Sequence, residues 1–163
     1  MKISIMSDSH ENWEKLSEAI DISNKQDCKY LLFAGDLISP QGVDVFSKFF
    51  GDVKIVFGNN ENEKCQIIDK SKKYSNVGIF NEFYEEKIDS TRIFMNHYPK
   101  FSELACKSNE YDLVIHGHTH SIRNEIINGC LIVNPGEIQG FITGVSSFMI
   151  YDTENKVLDV FTL

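Results

Sequence analysis

A chain of 163 residues with 42% apolar and 25% charged content is long enough for a real core and is ordinary for a soluble globular protein. Its net charge of −8 argues against a general nucleic-acid binder, which carries a basic face, so stable nucleic-acid binding is not expected. No apolar stretch approaches the roughly 20 residues of a membrane span, and Lys2 is followed by a strand-like run rather than a signal peptide, so the expected compartment is the cytoplasm.

In chain order, Lys2 to Met6 reads as a buried strand. Asn12 then caps an amphipathic helix that carries Leu16, Ile20 and Ile22 and runs to about Gln26. Tyr30 to Ala34 is the second strand. Ser39-Pro40 starts a helix whose apolar face is Val43, Phe46, Phe49 and Phe50, with these phenylalanines read as core. Val53 to Phe57 is the third strand, and Glu63 to Tyr74 is helical. Strands follow at Val77 to Phe80, Phe83 to Ile88 and Thr91 to Asn96. A short helix spans Ser102 to Lys107, and Leu113 to His116 is a further strand. Asn124 to Ile127 and Cys130 to Asn134 form a hairpin about Asn128-Gly129, and Ser147 to Asp152 pairs with Val157 to Thr162. The first half is βαβαβα and the second mostly β. This predicts two sheets packed face to face with helices outside, in one domain over residues 1–163. Trp13 is expected to pack its helix, and Glu85-Glu86 to be solvated.

Polar clusters follow these apolar runs. They are Asp8-Ser9-His10, Gly35-Asp36, Gly58-Asn59-Asn60-Glu61, His97 and Gly117-His118-Thr119-His120. Open α/β sheets place sites beyond the carboxyl ends of strands. If the runs are neighbouring strands, the clusters converge into a pocket of aspartate, asparagine and imidazole, the make-up of a two-metal hydrolase centre. In an extended segment, residues two apart share a side, so Asp8 faces with His10 and His118 with His120. Gly35, Gly58 and Gly117 stand where the backbone must turn sharply or approach another chain closely. His116 ends an apolar run and is read as a partly buried strand histidine. Cys28, Cys65, Cys106 and Cys130 are scattered without a CxxC pair, and are read as reduced thiols rather than a zinc site.

Taken together, DxH, GD, GNx[DE], a lone His and GHxH, in that order and followed by Asn134-Pro135-Gly136, resemble the calcineurin-like metallophosphoesterases, in particular their small YfcE-type phosphodiesterase branch. The resemblance runs from Met1 to the C-terminus. It implies a four-layer α/β/β/α sandwich of two mixed β-sheets flanked by helices, with a dinuclear centre. Asp8, His10, Asp36 and His120 would hold the first divalent ion, and Asp36, Asn59, His97 and His118 the second, with Asp36 bridging. Manganese heads the candidates, with nickel, iron and zinc also accepted by such donors. Two divalent ions outweigh two carboxylates, so the centre would attract a small phosphodiester despite the acidic chain. A hydroxide activated by both ions would attack phosphorus. Asp36, Asn60 and His97 would carry the catalysis.

The chain departs from the family pattern at Asn60, where His or Cys is common. An asparagine hydrogen-bonds but supplies no proton, which favours diesters with good leaving groups. It departs again at Tyr98, where glycine is common and the phenol narrows the entrance, and at Glu11, where a small residue is common. The resemblance has Glu61 holding a ligand histidine, against the plainer reading of a solvated loop glutamate. The competing functions are a non-catalytic interaction scaffold, as in the retromer sorting subunit of this superfamily, and a phosphomonoesterase. His97, His118 and His120 are all present, which favours an enzyme. The Phe80 to Tyr84 edge is either a homo-oligomer contact or core.

Overall fold

Side-chain alternation along the strands decides how this chain stacks. The computed structural model describes residues 1–163. The elements are β1 (Lys2–Met6), α1 (Trp13–Lys25), β2 (Tyr30–Phe33), α2 (Gln41–Phe46), β3 (Asp52–Val56), α3 (Lys64–Ser71), β4 (Val77–Phe80), β5 (Tyr84–Ile88), β6 (Thr91–Met95), α4 (Pro99–Lys107), β7 (Leu113–Ile115), β8 (Ile122–Ile127), β9 (Cys130–Pro135), β10 (Ser147–Asp152) and β11 (Val157–Thr162).

A 6-stranded sheet has the order β11-β10-β1-β2-β3-β4, and a 5-stranded sheet the order β5-β6-β7-β9-β8. Neighbours are parallel from β1 to β4 and along β6, β7 and β9; the outer strands pair antiparallel.

Each strand serves two interfaces. Ile3, Ile5, Leu32 and Val56 face the second sheet and meet Ile93, Met95, Leu113, Ile115 and Val133. Met6, Leu31, Phe33, Val53 and Ile55 point the other way, onto Leu16, Ala19 and Ile20 of α1, Val43 and Phe46 of α2 and Ile67 of α3. On the far side of the second sheet, Phe94, Val114 and Ile132 pack with Cys106 of α4. Three apolar interfaces therefore separate the four layers α/β/β/α. Both faces of the central strands are buried, which is why their sequences are near-continuous apolar runs.

α1 is fixed at its start by Asn12, whose side chain accepts a hydrogen bond from Lys15 N at 3.2 Å. Trp13 packs at the edge of the first core, as expected. No helix is long and apolar enough to cross a membrane.

Some expectations are corrected. Phe50 is 87% exposed, because α2 stops at Phe46 and the chain turns before β3, carrying Phe50 off the apolar face while Phe49 stays buried. The expected Ser102 start of α4 moves to Pro99, since proline at the first helical position needs no amide partner. The Phe80 to Tyr84 edge divides, with Tyr84 in the inter-sheet core and Phe83 half exposed.

The reduced-thiol reading fails for Cys106 and Cys130. They are 24 residues apart, yet the packing of α4 on β9 brings their Cα atoms to 5.5 Å, and they form a disulfide. Cys28 and Cys65 are free; burial pushes the Cys28 thiol up to about 11, whereas Cys65 is exposed. Thiol titration at pH 8 should therefore find one fast-reacting group in the native protein, two on denaturation without reductant and four after reduction. Four without reductant would contradict the pairing.

Candidate metal centre

The parallel alignment of β1, β2 and β3 in one sheet and β6, β7 and β9 in the other sends their carboxyl ends to one rim. The loops leaving that rim are tied across the sheets. Ile138 N donates to Ser7 O at 3.0 Å, Gln139 N to Asp8 O at 3.1 Å and Gly117 N to His97 O at 3.2 Å. The side chains of Asp8, His10, Asp36, Asn59, His97, His118 and His120 all converge there.

The convergence does not come from extended backbone. Asp8 (φ 54°), His10 (φ 39°), Asp36 (φ 62°), His118 (φ 69°) and His120 (φ 59°) are left-handed. Asp8 and His10 do meet, at 3.7 Å, through tight left-handed turns rather than a strand-like repeat, whereas His118 turns to Asn59 and His120 to Asp8 and Glu137. Such backbone is costly outside glycine and collects at functional sites. Close approach explains two of the glycines. A Cβ on Gly58 would collide with Asp36 Oδ1, and one on Gly117 with Ser7 Oγ and Asp8 Oδ2.

The hydrogen bonds set the ring orientations. His97 Nδ1 lies 2.7 Å from the carbonyl of Ala34, which can only accept, so Nδ1 carries the proton. Its Nε2 then presents a lone pair 3.1 Å from Asn59 Oδ1 and 3.6 Å from Asp36 Oδ1. Opposed acceptors at such distances repel unless a proton or a cation lies between them. His118 Nδ1 reaches the same Asn59 Oδ1 at 2.8 Å. On the other side, His120 Nε2 stands 3.5 Å from Asp8 Oδ1, and His10 Nε2 is 3.7 Å from Asp8 Oδ1 and 3.4 Å from Asp36 Oδ2. Asp8 Oδ1 and His10 Nε2 are buried and have no hydrogen-bond partner. Two groups with metal-ligand chemistry follow, Asp8 with His10 and His120, and Asp8 with Asp36 and His97, the donor atoms of each lying within 4.8 Å of one another. The donor set fits a hard or borderline divalent ion. Burial pushes the His10 imidazole down, but the nearby carboxylates of Asp8, Asp36 and Glu137 outweigh this and raise its pKa.

Asn60 donates through Nδ2 to Asp36 Oδ2 at 2.6 Å, and its backbone N–H and that of Asn59 donate to Asp36 Oδ1 at 3.0 and 2.9 Å. One amide N–H of Asn60 is thus committed to Asp36. Glu61 neither holds a histidine nor meets solvent. Its Oε1 accepts from Leu37 N at 2.8 Å and its Oε2 from Gly58 N at 2.7 Å, joining the loop after β2 to the loop after β3. His116 is buried just past β7, and burial lowers its pKa. The half-buried Tyr98 rests its ring on His97 and His118, with centroids 5.2 and 5.3 Å away. Glu11 is exposed.

The residue that orients a histidine is Glu137, which the sequence reading missed. It is fully buried, and its Oε2 accepts from His120 Nδ1 at 2.7 Å. Its Oε1 accepts from Ile142 N, Thr143 N and Thr143 Oγ1 at 3.0, 2.6 and 2.8 Å. This fixes Nδ1 as the protonated nitrogen of His120 and aims Nε2 at Asp8. The only signal in the sequence was an acid directly after Asn134-Pro135-Gly136.

The model of the calcineurin-like phosphoesterase superfamily domain matches residues 1–156. The chain belongs to this superfamily. It is 34% identical over 158 residues to phosphodiesterase MJ0936 of Methanocaldococcus jannaschii, covering 96% of this chain and 95% of that protein. A solved archaeal phosphodiesterase superposes with a TM-score of 0.94 at 33% identity over 100% of both chains. YfcE, a phosphoesterase from E. coli, shares the fold with a TM-score of 0.70 at 16% identity, over 99% of this chain and 98% of that one. So does the zinc complex of Vps29 from Entamoeba histolytica, with a TM-score of 0.72 at 19% identity over 99% and 91%.

Carboxylates behind a ligand histidine tune affinity by about 10–100-fold. Glu137→Gln should therefore weaken metal binding by about that factor while leaving the circular dichroism spectrum in place. Unchanged affinity by calorimetry would show that Glu137 does not position His120.

Proposed function

We propose that this protein is a metal-dependent phosphodiesterase of small substrates, with Asp8, His10, Asp36 and His120 holding one divalent ion and Asp36, Asn59, His97 and His118 the other. The observation that carries the reading is the set of inward-facing acceptors without protein partners, Asp8 Oδ1 among them, beside the opposed His97 Nε2 and Asn59 Oδ1. Two such ions, when bound, supply Lewis acidity, lower the pKa of a shared water and hold phosphoryl oxygens. Manganese is our assignment for both positions, although nitrogen and oxygen donors also accept nickel, iron and zinc. We read residues 1–163 as one phosphoesterase domain working in the cytoplasm, where burial shields the Cys106–Cys130 pair from reducing thiols.

The residues divide the work. Asp36 receives three hydrogen bonds from Asn59 and Asn60, which fix both of its oxygens toward the centre. His97 is held by Ala34 O, and His120 by Glu137, so neither ring needs to reorganise during turnover. Asn60 has one amide N–H left to orient a phosphoryl oxygen but no proton to give a departing alkoxide. An ester whose leaving group is already a stable anion needs no such proton. This reasoning favours aryl phosphodiesters over alkyl monoesters.

Aryl phosphodiesters should be turned over with a higher kcat/KM than matched monoesters. The activity should vanish with a chelator and return with manganese. Asn60→His should raise the monoester-to-diester ratio by supplying an imidazole beside Asp36. A wild type that prefers the monoester, or turnover indifferent to metal, would contradict the reading, and no turnover of any phosphoester would favour the scaffold.

A further inference from the structure

β8 is an outer strand of the 5-stranded sheet and pairs with β9 alone. Its free side follows from the bonds of β9. Leu131 N donates to Asp112 O, and Val133 O accepts from His116 N, so the peptide groups of Leu131 and Val133 point toward β7. Ile126 and Asn124 stand opposite these two residues. By the alternation of antiparallel pairs, the N–H and C=O groups of Ile122, Asn124 and Ile126 point outward, where no group of the chain meets them.

Sheets usually protect such an edge with charge, proline or a bulge. β5, the other edge of this sheet, carries Glu85, Glu86 and Lys87, all exposed. β8 has no lysine or proline, and its register with β9 is unbroken. It exposes Ile126 by 74% and Ile122 by 47% instead. The residues that turn free peptide groups outward therefore also carry exposed apolar side chains. On the opposite face of the strand, Arg123 bonds Glu125 at 2.8 Å and Glu103 of α4 at 3.3 Å.

The sequence of β8 is complementary to itself. Two copies set antiparallel about a dyad at Asn124 bring Asn124 to its counterpart, Ile122 to Ile126 and Arg123 to Glu125. Each of the three outward residues then joins a pair that exchanges two backbone hydrogen bonds. An odd shift puts the outward peptide groups out of phase. A dyad at Arg123 or at Glu125 sets like charges directly opposite, which destabilises the pairing. The Asn124 register alone among these satisfies the backbone, the apolar rungs and the charged rungs together.

We propose that β8 is a self-pairing edge, to which a second copy of this chain adds its own β8 antiparallel about Asn124. The two 5-stranded sheets become one, through an isologous contact of the kind a twofold dimer uses. The partner also covers the open side of the sandwich, where Ile126 lines a cleft with Leu131, Tyr151 and Leu158. The junction is a single strand of 6 residues, so the dimer is weak and depends on concentration.

Sedimentation equilibrium of the full chain, from low micromolar to submillimolar concentration, tests this. The mass should rise from 18.7 kDa toward twice that value. At the high end, hydrogen exchange should slow at the amides of Ile122, Asn124 and Ile126, while those of Arg123, Glu125 and Ile127, already turned to β9, change little. Ile126→Lys should hold the protein at the monomer mass, because an edge lysine blocks strand addition. Arg123→Glu and Glu125→Arg each set like charges across the dyad, so each variant alone should be monomeric. Mixed together they should dimerise, since every rung between positions 123 and 125 is then opposite in sign. Both variants stay net acidic, so long-range charge does not draw them together. A thermal melt confirms that each is folded, and recovery in the mixture separates lost pairing from lost structure. A wild type that stays at 18.7 kDa throughout would overturn the proposal and leave the edge to a strand of another protein. A dimer that persists in Ile126→Lys and in both charge reversals, or a mixture that stays monomeric, would overturn this contact.

Discussion

Two carboxylates, Asp8 and Asp36, are 0% and 1% exposed in a chain whose net charge is −8, and no lysine or arginine reaches either of them. Burying a charge costs several kcal/mol unless it is paired. Asp36 recovers part of this from the hydrogen bonds of Asn59 and Asn60, and Asp8 from the backbone N–H of His118 at 3.1 Å. Asp8 Oδ1 recovers nothing. Beside these two groups the protein sets His97 and His120, whose outer nitrogens are already occupied, so that their lone pairs turn inward. A pair of divalent ions, as proposed for this centre, would resolve this arrangement.

The supporting shell explains why the geometry is rigid although it sits on loops. Glu61 joins the loops after β2 and β3 through buried amide groups, and Glu137 joins the loop after β9 to His120. Left-handed backbone at Asp8, Asp36 and His120 is local strain that the surrounding sheets must overcome. They do so because the carboxyl ends of parallel strands are buried on both faces. The stability of the sandwich and the geometry of the site are therefore linked.

Much of this was legible in the sequence. Apolar runs with a polar cluster at each end located the strands and the rim, and the Asn128-Gly129 turn located its hairpin, where both residues adopt positive φ. What escaped depended on tertiary contacts. Nothing local distinguishes Phe50 from Phe49, and only the end of α2 separates them. The Cys106–Cys130 bond requires knowing that α4 covers β9. The partner of Glu61 was misjudged and Glu137 was missed, because an acid beside a ligand motif shows its nature, not its partner. The convergence of Asp8 with His10 was expected, but by a strand-like repeat that the left-handed turns replace.

The central claim is that Asp36 is shared between two ions. Crystals of the manganese-loaded protein, measured at the manganese absorption edge, test it most directly. The account predicts two anomalous peaks about 3.5–4 Å apart, with Asp36 between them, Asp8, His10 and His120 around one, and Asn59, His97 and His118 around the other. A single peak at full loading, or two peaks that do not share Asp36, would contradict it.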